Sequence, residues 1–263
     1  MKRIVIKIGS STISHQSGLL NLRKMETLAK ILSDLSNEGH EIILVSSGAV
    51  AAGRGKMGLK ERPKTLQEKQ ALASIGQCEL MYLYDKFFSQ YSKIVAQMLM
   101  TKRVIIDENL RHNASNTIET LLQQHVIPII NENDSVATDE IVYGDNDTLS
   151  AITAKLVQAD LLIILSDIDG LYDKNPKRFA DANLISKVDI IDSYIEQMAE
   201  DTNSNVGTGG MVTKISAAKI ATESGCDMLI VNGSDLAIIY DIMDGKKRGT
   251  LFKAKRGITN GTL

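Results

Sequence analysis

The run Ile4-Val5-Ile6-Lys7-Ile8-Gly9-Ser10-Ser11 decides how the rest of the chain is read. Branched apolar residues stopped by a glycine predict a short buried strand that runs directly into a tight turn. Lys7 is then an anomaly, because an ammonium inside an apolar strand is costly to bury without a partner. It is expected to face a phosphate or a carboxylate; the alternative is a lysine that snorkels from the strand end.

Working outward, the pattern changes from period two to helical spacing. From Asn21, the residues Leu22, Met25, Ala29, Leu32 and Leu35 share one face, with an Asn N-cap before them and Gly39 as the stop. Glu41 to Val45 reads as a second strand ending in Ser46-Ser47-Gly48-Ala49. Thr65 to Ser89 is helix-rich, Lys93 to Leu99 a strand, and Asn113 to Gln124 a helix. Val126 to Ile130 returns to strand, although Pro128 points to an edge or a strand start. Val136 to Tyr143 has the pattern of a hairpin ending at Gly144. A helix over Asp147 to Ala159, a strand over Leu161 to Leu165, mixed loop and short strand over 168–190, a helix over Ser193 to Glu200, a glycine-rich loop over Asn203 to Gly210, a helix over Met211 to Ser224 and a last strand over Met228 to Val231 follow.

Strand alternating with helix predicts parallel units joined by right-handed crossovers. The expected fold class is α/β, an open, mainly parallel sheet sandwiched between helices. The 263 residues suffice for a sizeable core. With no linker rich in Pro, Gly or Ser, residues 1–263 read as a single domain in two lobes, about 1–170 and about 171–255.

Composition narrows the function. Thirty basic and 32 acidic residues leave a net charge of −2, so bulk electrostatics favours neither nucleic acid nor an anionic membrane as partner. Cys78 and Cys226 are too few for a disulfide framework, which suits a reducing compartment, the cytoplasm. Met1-Lys2-Arg3 precedes only three apolar residues before Lys7, neither a signal core nor a membrane span.

Gly53-x-Gly55-x-x-Gly58 fits the dinucleotide-binding expression but lies well past the preceding strand end, so it is read as a mobile glycine loop near the substrate. No Walker A sequence occurs. Three glycine turns remain, at Gly9, at Ser47-Gly48 and at Gly207-Thr208-Gly209-Gly210. At the carboxyl edge of a parallel sheet such turns let backbone N–H groups approach a phosphate beside helix N-termini. Taken singly, each is also an ordinary tight turn. Lys214 lies one turn into the last long helix, where a cation opposes the macrodipole unless an anion sits there. Asn131-Glu132-Asn133-Asp134 and Gly144-Asp145-Asn146-Asp147 are dense acid and amide clusters, suited to binding an ammonium, ordering lysines or coordinating a hard cation. Asp147 also reads as a simple N-cap. Six of the eleven residues from Lys246 to Arg256 are basic, a stretch that suits RNA or a solvated surface.

Taken together, Lys7-Ile8-Gly9-Ser10-Ser11, Ser46-Ser47-Gly48-Ala49-Val50, Asn131-Glu132-Asn133-Asp134, Gly144-Asp145-Asn146-Asp147, Ser166-Asp167 with Gly170-Leu171-Tyr172, and Gly207-Thr208-Gly209-Gly210-Met211 with Thr213-Lys214 resemble the amino acid kinase family, in its glutamate-phosphorylating branch. The likeness runs from the first strand to Gly249-Thr250-Leu251-Phe252. It implies ATP-dependent phosphorylation of the side-chain carboxylate of L-glutamate, the first step of proline synthesis, with Mg2+ bridging the ATP phosphates. By matching position, Lys7 and Lys214 would contact the transferring phosphoryl and Asp147 would organise both. Gly9 and Gly48 would supply backbone donors. Ser47, Asp134 and Asn146 would bind glutamate. Ser166, Asp167, Thr208, Gly209, Gly210, Met211, Val212, Thr213 and Lys214 would line the nucleotide site. L-proline is implied as a feedback inhibitor and a homo-oligomer, dimer or tetramer, as the assembly.

Many members continue into a C-terminal domain of the PUA type, whereas this chain stops soon after Phe252, and Ser166 stands where Thr is common. The rival readings are a sister kinase acting on N-acetylglutamate, carbamate, aspartate or a nucleoside monophosphate, a catalytically silent proline or nucleotide sensor, and an RNA-binding module.

Overall fold

The computed structural model describes residues 1–15, 17–101, 103–136, 146–201 and 210–255. Its eight described strands form one sheet: β1 (Arg3–Ile8), β2 (Glu41–Ser46), β3 (Val95–Met100), β4 (Ile127–Glu132), β5 (Leu161–Ser166), β6 (Lys187–Val188), β7 (Asp227–Asn232) and β8 (Thr250–Phe252). They lie in the order β3-β4-β2-β1-β5-β7-β8-β6. All pairings are parallel except β7 with β8. The expected open, mainly parallel sheet is therefore present. It does not close at β7, however: Thr250–Phe252 adds an antiparallel strand too brief to show a sequence period, and Lys187–Val188, a short strand within 168–190, pairs with it. Pro128 is the second residue of β4, an inner strand. It lies just ahead of the point where β2 joins at Ile129, so the strand-start reading is the right one.

Alternation along β1 splits the core in two. Ile4, Ile6 and Ile8 face a layer built from α1 (Ser10–Ile13), α2 (Leu22–Asn37), α3 (Ala49–Lys56) and α4 (Leu66–Ser89). Val5 faces the other layer, built from α5 (Arg103–Ile106), α6 (Glu108–Gln123), α7 (Asn146–Leu156), α8 (Ser193–Asp201) and α9 (Met211–Glu223). A short α10 (Ile238–Met243) joins the first layer through Ile239. Each of those fully buried isoleucines contributes roughly 1.5–3 kcal/mol relative to exposure. Local signals set the helix ends: the Asn21 side chain accepts from the Lys24 N–H at 3.2 Å, Gly39 follows α2 at φ +88°, and Thr65 with Glu68 forms a reciprocal capping box before α4.

The Gly53-x-Gly55 glycines are not a mobile loop. Both lie in α3, which crosses α4 at very close range. A methyl group on Gly53 would fall 1.9 Å from the Leu72 carbonyl oxygen, and one on Gly76 of α4 would fall 1.8 Å from that of Ala49. Only glycine permits two helix backbones to approach this closely. Among the described residues no helix is long and apolar enough to cross a membrane. The hairpin expected over Val136 to Tyr143 lies outside the described residues beyond Val136, and the loop expected over Asn203 to Gly210 lies outside them except for Gly210.

Candidate active site

Because β1, β2, β4, β5 and β7 run parallel, their carboxyl ends open on one edge. The chain leaves β1 for β2 on one side, and β5 joins β1 on the other. The edge between them is thus a topological switch point, the usual place for a ligand in an open α/β sheet. Lys7 lies there, next to Val45 of β2 and Ile164 of β5, with its side chain on the α7–α9 side.

Its partner is Asp147. Lys7 Nζ stands 2.5 Å from Asp147 Oδ1, and Lys214 Nζ donates to Asp147 Oδ2 at 3.0 Å. The three groups are 7, 4 and 0% exposed for Lys7, Lys214 and Asp147. Burial is the largest influence on the Asp147 carboxyl and pushes it up; the charges and hydrogen bonds of Lys7 and Lys214 together outweigh burial and hold it down at about 2. Asp147 lies in the first turn of α7, where the macrodipole also favours an anion. Its carboxylate serves the lysines, so the N-cap reading is set aside. Asp147 is likewise the anion that offsets the misplaced Lys214 cation near the N-terminus of α9. Thr213 completes the contact, with its Oγ1 3.4 Å from Asp147 Oδ2 and donating to the Gly210 carbonyl at 2.8 Å. Two ammoniums and one carboxylate carry one net positive charge into a dry setting, an arrangement that fits a phosphate group.

The glycine turns flank this trio. Gly9 has an ordinary φ of −81°, and a methyl group there would meet Lys7 Nζ at 3.7 Å, an ordinary contact distance, so its backbone lies directly beside that nitrogen. Gly48 requires glycine for its backbone, at φ +106°, and caps α3.

On the β2 and β4 side a polar chain takes over. Asn146 Nδ2 donates to Ser47 Oγ at 2.8 Å, to the Ser46 carbonyl at 3.2 Å and to Asn131 Oδ1 at 2.9 Å. Ser47 and Asn146 are therefore in direct contact. Asp134 lies in the turn after β4, where burial, followed by the nearby Glu132 charge, raises its carboxyl to about 6. Asn131 and Gln77 were not among the expected site residues. Asn131 stood inside the quoted acid and amide cluster, but Gln77 is one polar side chain on a long helix, and nothing local distinguishes it from surface.

At the end of β5, Ser166 Oγ donates to Asp167 Oδ1 at 3.3 Å, on the same sheet edge. Met211 is buried in the α7–α9 layer, whereas Val212 is exposed. Thr208 and Gly209 lie outside the described residues. Among the described residues no three His, Cys, Asp or Glu side chains group as a metal site, which leaves the hard-cation reading of the acid clusters without a described ligand set.

A three-layer sandwich with two buried lysines on one carboxylate at its switch point defines a phosphoryl-handling protein, and the chain belongs to the amino acid kinase family, whose model matches residues 2–232. Membership of a kinase family implies ATP as the phosphoryl donor. Among curated proteins the chain is 53% identical over 254 residues to a protein of Clostridium tetani named glutamate 5-kinase, covering 97% of this chain and 95% of that one. It is 50% identical over 260 residues to the protein of that name from Clostridium perfringens, covering 97% of each. A glutamate 5-kinase of Listeria innocua is 51% identical over 97% of this chain and 94% of its own. Among solved structures, the UMP kinases of Ureaplasma parvum and Bacillus anthracis superpose with TM-scores of 0.66 and 0.64 at 17 and 19% identity. They cover 96 and 97% of this chain, and 98 and 97% of their own, and show the shared fold.

Proposed function

We propose that this chain is an ATP-dependent glutamate 5-kinase that transfers a phosphoryl group to the side-chain carboxylate of L-glutamate, giving L-glutamyl 5-phosphate and ADP. The observation that carries this reading is Asp147 holding Lys7 and Lys214 against each of its oxygens, beside the Ser47–Asn146 pair. A glutamate side chain, with a reference pKa of about 4.3, is already ionised at neutral pH, so the acceptor needs no general base. What the reaction lacks is tolerance for an anion approaching a polyanion, and transfer proceeds mainly through positioning and electrostatic stabilisation.

In this reading the two lysines stabilise charge on the transferring group, while Asp147 fixes their nitrogens and keeps them apart. Ser47, Asp134 and Asn146 bind glutamate, with Asp134 facing the α-ammonium. Gly9, Gly48, Ser166, Asp167 and the stretch Thr208 to Lys214 serve the nucleotide. The glutamate residues fall in the part numbered about 1–170 and most of the nucleotide residues in the part about 171–255. Magnesium, bound with ATP, supplies further neutralisation of phosphate charge. We assign L-proline as feedback inhibitor, a homo-oligomer as the assembly and the cytoplasm as the location on the same likeness. ADP release with glutamate, N-acetylglutamate, aspartate, carbamate and UMP as acceptors tests the proposal, with hydroxylamine trapping of the acyl phosphate. Glutamate is expected to be preferred; no glutamate-dependent ADP release refutes it.

A further inference from the structure

Helix α4 reaches the acceptor side of the site twice within four residues, once at Asn131 and once at Ser135 beside Asp134. Gln77 Oε1 accepts from Asn131 Nδ2 at 2.9 Å. Ser74, three residues earlier and on the same helix face, has its Oγ 2.8 Å from Ser135 Oγ, next to Asp134. Ser74 already donates to the Gln70 carbonyl, so Ser135 is the donor in that pair. Between them Gly76 presses on the Ala49 carbonyl, directly after the Ser47-Gly48 turn.

The two ends of a carboxamide are chemically unlike, which gives the Gln77 contact directional content. Asn131 Oδ1 accepts from the Glu132 N–H and from Asn146 Nδ2, both at 2.9 Å, while its Nδ2 donates to Gln77. A flipped Asn131 would set its NH₂ against two donors and its oxygen against an acceptor. Asn146 Nδ2 is then committed to protein acceptors, and the atom Asn146 can turn to a substrate is its carbonyl oxygen, which suits an ammonium.

We propose that Gln77 is a positioning residue that fixes the Asn131 amide and, through it, the Asn146 amide, so that α4 braces the acceptor pocket for a substrate bearing a free amine. This deepens the glutamate 5-kinase reading and rests on it. Gln77→Met keeps length and removes the acceptor, whereas Gln77→Glu keeps an acceptor oxygen. The Met variant is expected to raise glutamate KM about tenfold with ATP KM within about twofold, since one buried donor loses its partner. The Glu variant is expected to return glutamate KM to within about threefold of the parent.

Equal KM shifts in both variants, an unchanged glutamate KM in the Met variant, or an ATP KM that moves by the same factor would overturn the proposal. Hydrogen exchange in the ligand-free protein gives a readout independent of any substrate. The Glu132 amide, which donates to Asn131, should exchange about tenfold faster in Gln77→Met while α2 amides are unchanged. An unaltered Glu132 amide defeats the brace. Absent glutamate turnover in the parent protein defeats the function reading instead.

Discussion

The Lys7 ammonium lies 2.5 Å from Oδ1 of Asp147, joining the first strand of the chain to the start of α7 at the edge where six parallel strands end. The other carboxylate oxygen holds Lys214, so one buried anion sets the separation of two cations.

Replacing either cation should therefore affect turnover more than binding. Lys7→Ala and Lys214→Ala are each expected to lower kcat about a hundredfold or more, roughly 3 kcal/mol of transition-state stabilisation, with a smaller change in glutamate KM. Steady-state kinetics with both substrates varied is the check; unchanged kcat in both variants refutes the assignment.

Asp147→Asn leaves two ammoniums buried without their shared anion. Removing one member of a buried ion network costs roughly 3–5 kcal/mol, so the variant should lose both activity and stability, the latter read by urea denaturation at neutral pH. The carboxyl is held at about 2 in the fold, below an unfolded value of about 3.9. Its stabilising contribution is thus complete above pH of about 4 and is lost as pH falls towards 2, and the difference between parent and variant should narrow over that window.

Asp134 behaves in the opposite sense. Burial and Glu132 raise its carboxyl to about 6, so the folded protein takes up this proton more readily than the unfolded chain. The ionised group therefore costs stability at neutral pH, and that cost is relieved as pH falls through 6 towards 4. Glutamate binding should follow the charge: KM rises below pH of about 6 in the parent. In Asp134→Asn, KM should be raised and flat across this range, with stability at pH 7 equal to the parent's or higher. A parent KM independent of pH between 5 and 8 contradicts the pairing of Asp134 with the substrate ammonium.

Gly53→Ala and Gly76→Ala test the α3–α4 crossing. Each methyl group would meet a backbone carbonyl at under 2 Å, so the helices must separate, at a cost of about 1–3 kcal/mol or more. Thermal unfolding should show a clear drop for both, and because α3 begins at the Gly48 turn, glutamate KM should rise as well. Gly58→Ala, where the added methyl would meet nothing, serves as the control for glycine replacement in this segment; its positive φ of +66° confines its cost to backbone strain.

Several features were legible because they depend on neighbours in the chain. The β-branched run stopped by Gly9, the Asn21 and Thr65 caps and the alternation of strand with helix are short-range patterns, and they suffice for a parallel sheet between two helical layers. The charge of Lys7 announced a partner by its cost alone. Other features have no local signature. Gly53-x-Gly55-x-x-Gly58 looks like a loop in one dimension, and only the tertiary structure shows Gly53 to be a contact point between α3 and α4 and Gly55 to pack on the Gly18–Leu19 backbone. A strand of three residues, such as β8, is too short to carry a period.

By itself, then, the sequence determined the fold class and the residue types at the ends of its strands, since strand, turn and cap preferences act over a few residues. Only the tertiary structure decided that Asp147 is divided between Lys7 and Lys214, and that Gln77 reaches Asn146 through Asn131. Those pairings join residues far apart in the chain, and their direction depends on which atoms meet once α4, α7 and α9 have packed.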